Sequence, residues 1–390
     1  MIITFVYPVY FKSVVCAGLN ELGDLLWGLS GSISMVIVAC LSPVMGAIAD
    51  LSGRKKDLLI LFALSCIFLT SQLTWVGSGM VLWGMGLFIV ANVFYQCGQV
   101  FYNAYLPELA SPGEVGRLSG YGWASAYLGG IAMLLLSWPY LKIGDPESTR
   151  LVFFLTALFY LFFSLPAFVL LPATDRQAHG VAWTGYFSAG IRKVRDTLSH
   201  IGEYRQLARF LLAYFVYMEG VATVVYYTSI YARDTLGFSL AELLYFFLVL
   251  QTVGVCGAVG LGWLSDWIGP RITLLAILCC WTLVAVGVAL VYSKALFWMV
   301  SMVGVICLGS IQAVSRSMIA LMVSRAQEAE IFGFYGVSGK LSSAAGPLLF
   351  GTISFVSGSQ RMAMLAVALL FLLGLLLLMR VEDPSPKGNR

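Results

Sequence analysis

Four amides recur within one apolar stretch: Asn92, Gln96, Gln99 and Asn103, spaced 4, 3 and 4 residues apart. On a helix that spacing stacks them on one face, with Tyr95 and Tyr102 beside it. Amides both donate and accept hydrogen bonds, so the stripe suits recognition of a polar solute. A second stretch carries Glu219, followed by Thr223, Tyr226 and Tyr227 one and two turns on; a third carries Gln312 and Arg316, one turn apart; a fourth carries Lys340. Polar groups in otherwise apolar helices are costly in lipid and face a cavity or a partner. Asn92, Gln96, Gln99, Asn103, Glu219, Thr223, Tyr226, Gln312, Arg316 and Lys340 are therefore the expected contacts of a small polar solute. Glu219 and Arg316 would suit the ammonium and carboxylate of a zwitterion, because arginine can bind a carboxylate as a fork. The same residues could instead form a Glu219–Arg316 ion pair, with the amides joining helices. Glu219 is also the proton-coupling candidate.

The elements that must position these residues follow from composition. Of 390 residues, 60% are hydrophobic and only 11% charged, against about 25% charged in ordinary soluble chains. Such a chain cannot cover its own surface with polar groups, so lipid is the expected solvent. Apolar runs fall at about 1–11, 27–48, 58–76, 81–104, 118–140, 151–171, 207–230, 242–264, 272–292, 295–322, 333–356 and 361–379. A membrane helix needs about 20 residues, so the first of these twelve segments is too short to span. The fold class is an all-α polytopic membrane protein, with no room for a large extramembrane domain. Fifteen Lys and Arg lie in one set of alternate loops and six in the other. By the positive-inside rule, both termini and the long 172–206 loop are cytoplasmic.

Several classes drop out. His179 and His200 share one polar stretch, and the eight cysteines lie in apolar runs without ligand spacing, so no metal site or cofactor is expected. Neither a nucleotide-binding loop nor a nucleophile–base pair is found, which excludes a primary pump and an enzyme. The expected partners are the lipid bilayer and a small-molecule substrate, with possible proton coupling; no nucleic acid is expected, and the chain is read as a monomer.

In the long loop, Phe187, Ile191, Val194, Leu198 and Ile201 recur at helical spacing with Arg192, Lys193 and Arg195 among them. An amphipathic helix on the inner membrane surface accounts for this pattern, although a plain linker would also do. The organisation is then 1–171, an N-terminal six-helix half; 172–206, a cytoplasmic linker; 207–380, a C-terminal six-helix half; and 381–390, a tail.

A repeat supports the two halves. Gly46-Ala-Ile-Ala-Asp50-Leu-Ser-Gly53 matches Gly262-Trp-Leu-Ser-Asp266-Trp-Ile-Gly269 at an offset of 266 − 50 = 216. Gln96 and Gln312, Glu114 and Glu330, Gly120 and Gly336, and Gly130 and Gly346 keep the same offset. Because six segments separate the copies, the halves are parallel repeats. The glycines of spans five and eleven, among them Gly120, Gly336, Gly339 and Gly346, would let helices approach closely.

The stretch Gly46 to Lys55, with Asp50, Gly53 and Arg54, resembles the loop signature of the major facilitator superfamily. Asp266, Gly269 and Arg271 form its degenerate echo. That resemblance implies a fold of twelve helices and a latch made by these eight residues at one face. It also implies that spans one, four, seven and ten line the central cavity. Phe101-Tyr-Asn103-Ala-Tyr105-Leu-Pro107-Glu108, then Glu114-Val-Gly-Arg117-Leu-Ser-Gly120-Tyr-Gly122, is similar to the vacuole effluxer-like, autophagy-related permease branch. Glu330-Ile-Phe332-Gly333 through Ser338-Gly339-Lys340 to Gly346-Pro347 and Gly351 looks like that branch's second-half motif. The likeness implies a secondary transporter working by alternating access, with amino-acid efflux as its substrate class. Sugars, lipid-like molecules or drugs are the alternative cargo, and a non-transporting receptor or scaffold is the alternative role. The short loops favour a bacterial plasma membrane over a vacuolar one. Span four lacks the arginine of many drug antiporters of the superfamily.

The repeat also makes the first helix look truncated, since the seventh span starts near 207, and 207 − 216 = −9. Either a start upstream of Met1 or a truncated chain is expected. Mass spectrometry of the mature amino terminus checks this, and a terminus at Met1 would overturn it.

Overall fold

The computed structural model describes residues 6–17, 21–111, 113–140, 146–173, 183–199, 204–323 and 327–384. Its helices are α1 (Tyr7–Tyr10), α2 (Glu21–Ser52), α3 (Lys55–Gln72), α4 (Val81–Asn103), α5 (Leu106–Leu109), α6 (Val115–Ser137) and α7 (Pro146–Leu170). They continue with α8 (Trp183–Ser199), α9 (Arg205–Asp234), α10 (Leu240–Ile268), α11 (Pro270–Leu290), α12 (Lys294–Met322), α13 (Glu328–Ser357) and α14 (Gln360–Leu378). A wider helical turn, Phe11–Val15, extends α1. No strand occurs among the described residues. Nine of the described helices are long and apolar enough to cross a membrane. Helix suits lipid because it satisfies every backbone group within its own segment.

Local chemistry sets where the helices stop. Gly53 takes φ 67° after α2, and Gly269 takes φ 96° between α10 and α11, a left-handed geometry that a side chain would strain. Pro270 then opens α11, where its missing N–H costs nothing. The Ser239 hydroxyl accepts the Glu242 N–H at 3.2 Å, and the Glu242 carboxylate accepts the Ser239 N–H at 2.7 Å, a reciprocal cap that starts α10.

The chain forms two compact units. The first comprises Met1–Asn103, Gly129–Val194 and Ala329–Phe334. In it α4 packs on both α2 and α3, and α3 packs on α7. The amino-terminal turn is part of this core. Tyr7, Tyr10 and Phe11 are buried, the Tyr7 hydroxyl donates to the Gly84 carbonyl at 2.9 Å, and the Tyr10 hydroxyl donates to Val76 at 2.6 Å. Their rings gather Trp27, Phe88 and Phe153.

The second unit comprises Ala104–Leu128, Arg195–Glu328 and Tyr335–Arg390. Here α10 packs on α12, α11 on α12 and α14, and α14 on α9. Trp281 stacks on Phe371 with ring centroids 5.0 Å apart. Each compact unit thus gathers stretches from both halves of the sequence.

Helix α8 lies within the 172–206 stretch. Phe187 and Ile191 are 44% and 47% exposed, with Arg192 and Arg195 exposed next to them. Gly190 and Thr197 are buried, with Lys193 partly buried between them. The Leu198 side chain and Ile201 lie outside the described residues.

The α10–α12 contact leaves no room for added volume. A Cβ on Gly257 would overlap the Ile306 backbone, and one on Gly309 would overlap the Gly254 carbonyl. Backbone cannot turn aside as a side-chain tip can. Gly257→Val should therefore destabilise the protein by about 1–3 kcal/mol, read as a lower midpoint in detergent-solubilised thermal unfolding. An unchanged midpoint would refute the close packing.

Candidate functional site

The two copies of the repeated motif do the same physical job, one in each unit. In the first unit, Asp50 near the end of α2 accepts the N–H groups of Ala329 and Glu330 at 3.1 and 3.0 Å. These are orphan donors of the first turn of α13, which starts at Glu328 and has no side-chain cap of its own. In the second unit, Asp266 near the end of α10 accepts the N–H groups of Gly116 and Arg117 at 2.6 and 2.8 Å, in the first turn of α6. A carboxylate at a helix amino terminus gains two charge-assisted hydrogen bonds and the favourable end of the helix dipole.

Glycine is what lets each carboxylate reach. A Cβ on Gly46 would overlap the Ala329 carbonyl, and one on Gly262 would crowd the Gly116 carbonyl. The receiving helices return the fit, with Gly333 over Pro43 and Gly120 over Ala258. These pairs correct the register read from sequence. On the helices that donate the carboxylate the offset is 216, but on those that receive it 329 − 116 = 213 and 330 − 117 = 213. Gly120 therefore corresponds to Gly333, not to Gly336, and a Cβ on Gly336 would meet nothing within 4 Å. Between Asp266 and the α13 counterpart of Gly116 the second half is thus three residues shorter than the first.

The basic residues of the motifs divide their work. Lys55 is buried, and its charge acts on Asp50, while Arg54 is exposed. Lys56 donates to the carbonyls of Val169 and Leu171 at 3.3 and 2.6 Å, at the end of α7. Arg271 donates to the Met379 carbonyl at 2.7 Å, just past α14. Each half thus uses one cation of this loop to cap the carboxyl end of its last helix, where the dipole favours positive charge.

The residues expected on the substrate path fall in both units. In the first, the Asn92 amide, only 2% exposed, donates to the Ser34 hydroxyl at 2.8 Å, and the Gln96 amide reaches the Asn92 carbonyl oxygen at 3.5 Å. Gln99 and Asn103 are half-buried further along α4. In the second, Glu219 and Thr223 are buried on α9, the Thr223 hydroxyl donating to the Glu219 backbone carbonyl at 2.7 Å. Arg316 is buried on α12; its Nε donates to the Ser119 hydroxyl at 2.9 Å and its guanidinium to the Ser119 carbonyl at 2.8 Å. Gln312 and Lys340 are half-buried. The Tyr226 side chain lies outside the described residues.

Sequence reasoning missed the partners that hold these groups. Ser34 and Ser119 carried no signal, because a serine in an apolar run reads as a small packing residue. Beside Arg316, the Tyr217 and Ser315 hydroxyls share a hydrogen bond at 2.7 Å, and Tyr214 packs on Tyr335 with ring centroids 4.4 Å apart. Tyr214, Tyr217 and Tyr335 are buried. Their spacing of 3 between Tyr214 and Tyr217 was the available clue. No group of His, Cys, Asp and Glu able to hold a metal ion occurs among the described residues.

Comparison with known proteins places this geometry. The family model described as vacuole effluxer Atg22 like matches residues 28–116 and 113–388. The MFS-type transporter YxiO of Bacillus subtilis (strain 168) is 26% identical, covering 99% of this chain and 91% of its own. Autophagy-related protein 22-1 of Penicillium rubens is 23% identical, covering 92% of this chain and 75% of its own. Among solved structures, the proton:xylose symporter XylE superposes with a TM-score of 0.74 at 14% identity, covering 96% of this chain and 90% of that one. The human organic anion transporter MFSD10 superposes with a TM-score of 0.72 at 16% identity, covering 91% and 84%. The fold is that of the major facilitator superfamily, in a multi-pass membrane protein.

Asp266→Asn keeps the side-chain shape but removes the charge, and should weaken its helix-end contact by about 1–3 kcal/mol. Amide exchange at Gly116 and Arg117 should then accelerate on the order of tenfold. Unaltered exchange would show that the carboxylate does not hold this joint.

Proposed function

Because the chain belongs to the vacuole effluxer Atg22-like family, we propose that it is a secondary transporter that moves small polar solutes such as amino acids outward by alternating access. The observation that carries this reading is the twin joint of Asp50 and Asp266. Each is a pair of hydrogen bonds between a carboxylate and the first turn of a helix from the other half of the sequence. Such joints break and re-form without disturbing the apolar packing around them, as a gate requires. In this reading Gly46, Asp50, Gly53, Arg54 and Lys55, with Asp266, Gly269 and Arg271, form the gate.

The cargo follows from the buried groups. Arg316, oriented by Ser119, offers a carboxylate-binding fork, and Glu219 offers an anion for an ammonium group. Asn92, Gln96, Gln99 and Asn103 supply neutral hydrogen bonds, with Thr223, Tyr226, Gln312 and Lys340 completing the set. Glu219 is the candidate to carry a proton if transport is proton-coupled. A sugar is the second reading, favoured by the amide pair Asn92–Gln96 and by the likeness in fold to XylE, a proton:xylose symporter. The protein works as a monomer in a bacterial plasma membrane, with both termini cytoplasmic, as the Bacillus relative and the basic loops suggest.

Proteoliposomes loaded with a labelled amino-acid mixture test this function. Wild type should show saturable efflux that Glu219→Gln lowers at least tenfold, with Gln96→Ala weakening apparent affinity. Efflux of xylose but of no amino acid would favour the sugar reading, and efflux of neither would reject transport. Flux indifferent to a pH gradient would remove Glu219 from proton coupling.

A further inference from the structure

The two joints are built alike but charged differently. At the third position of the receiving helix, the second unit has Arg117, whose Nε lies 3.6 Å from Asp266. The guanidinium also sits over the Trp263 ring, 5.5 Å from its centroid, and pairs with Glu114. That joint contains its own countercharge. The structurally equivalent residue in the first unit is Glu330, which places a second carboxylate beside Asp50. Both are buried, Glu330 fully so. Two carboxylates in one low-dielectric site repel, and burial strips the water that would screen them.

A cation from outside the motif meets them. Lys193 of the linker helix α8 places its ammonium 3.3 Å from the Glu330 carboxylate and 3.8 Å from that of Asp50. One turn earlier, Gly190 seats α8 against α2: a Cβ there would press on Ile48 and the Val44 carbonyl. Lys55 also acts on Asp50 from the motif itself. Arg192 and Arg195, the neighbouring cations on α8, are exposed. Of the cations on this helix, Lys193 is thus the one turned toward the acidic pair.

We infer that the linker helix is a working part of the gate: Lys193 is a positioning residue that neutralises the Asp50–Glu330 pair and holds the joint between α2 and α13 closed. This rests on reading the Asp50 motif as a gate. The linker then does more than connect two halves. Drawing α8 away from α2 would leave two buried carboxylates without their bridging ammonium, and the joint would open.

Hydrogen exchange followed by mass spectrometry, on full-length protein in lipid nanodiscs, tests this without a substrate. Lys193→Gln should raise exchange of the 327–335 amides on the order of tenfold, while Lys193→Arg stays near wild type. The decisive arm is the double variant. Glu330→Gln removes the second carboxylate, so adding Lys193→Gln in that background should change exchange less than twofold. Arg192→Gln, which loses an exposed charge on the same helix, should leave exchange unchanged. Wild-type exchange in Lys193→Gln would overturn the inference. So would an equal rise in the Glu330→Gln background, which would make Lys193 a packing residue. Because no cargo is used, failure here leaves the transport reading standing, and absent flux with the expected exchange pattern would count against transport alone.

Discussion

A carboxylate facing the first turn of a helix is the interaction on which this molecule's other features depend. In lipid the backbone bonds of a helix are satisfied within it, except at its ends. Two of those ends, on α6 and α13, find their acceptor on Asp266 and Asp50. Helices otherwise joined by apolar contact, which lipid competes for on equal terms, thereby gain joints that are directional and specific. Gly46 and Gly262 follow from this constraint, since the aspartates reach the helix ends only if the backbones nearly touch.

The same constraint explains why the two halves have diverged in charge. The second joint closes with a cation at the third position of the receiving helix, Arg117. In the first, that place is taken by Glu330, which is favourable toward the helix dipole but unfavourable toward Asp50. The imbalance is met by Lys193 from a segment with no counterpart inside either repeat. Two further cations of these loops, Lys56 and Arg271, are engaged at the carboxyl ends of helices α7 and α14. The basic run is therefore not simply a topology anchor: its members are distributed between the two poles of several helix dipoles.

Arg316 and Asn92 show a related economy inside the apolar regions. Each buried polar group is held by a serine, Ser119 and Ser34 respectively. A hydroxyl satisfies part of the donor set and fixes the orientation of the group it meets.

The sequence by itself determined the helical, lipid-solvated class and the repeated motif that carries Asp50 and Asp266. Composition, the period of apolar residues and a motif repeated at one offset are local quantities, readable without coordinates. It also located the linker helix and most of the polar residues on α4, α9 and α12. Only the tertiary structure decided the register of the receiving helices, whose offset of 213 makes Gly333, not Gly336, the counterpart of Gly120. It alone paired Arg316 with Ser119, sent Lys56 and Arg271 to helix carboxyl ends, and brought Lys193 to Glu330, 137 positions away in the chain. The physical reason is that a charge is satisfied through space, over 3 to 4 Å, and spacing along the chain says nothing of which distant group will stand there.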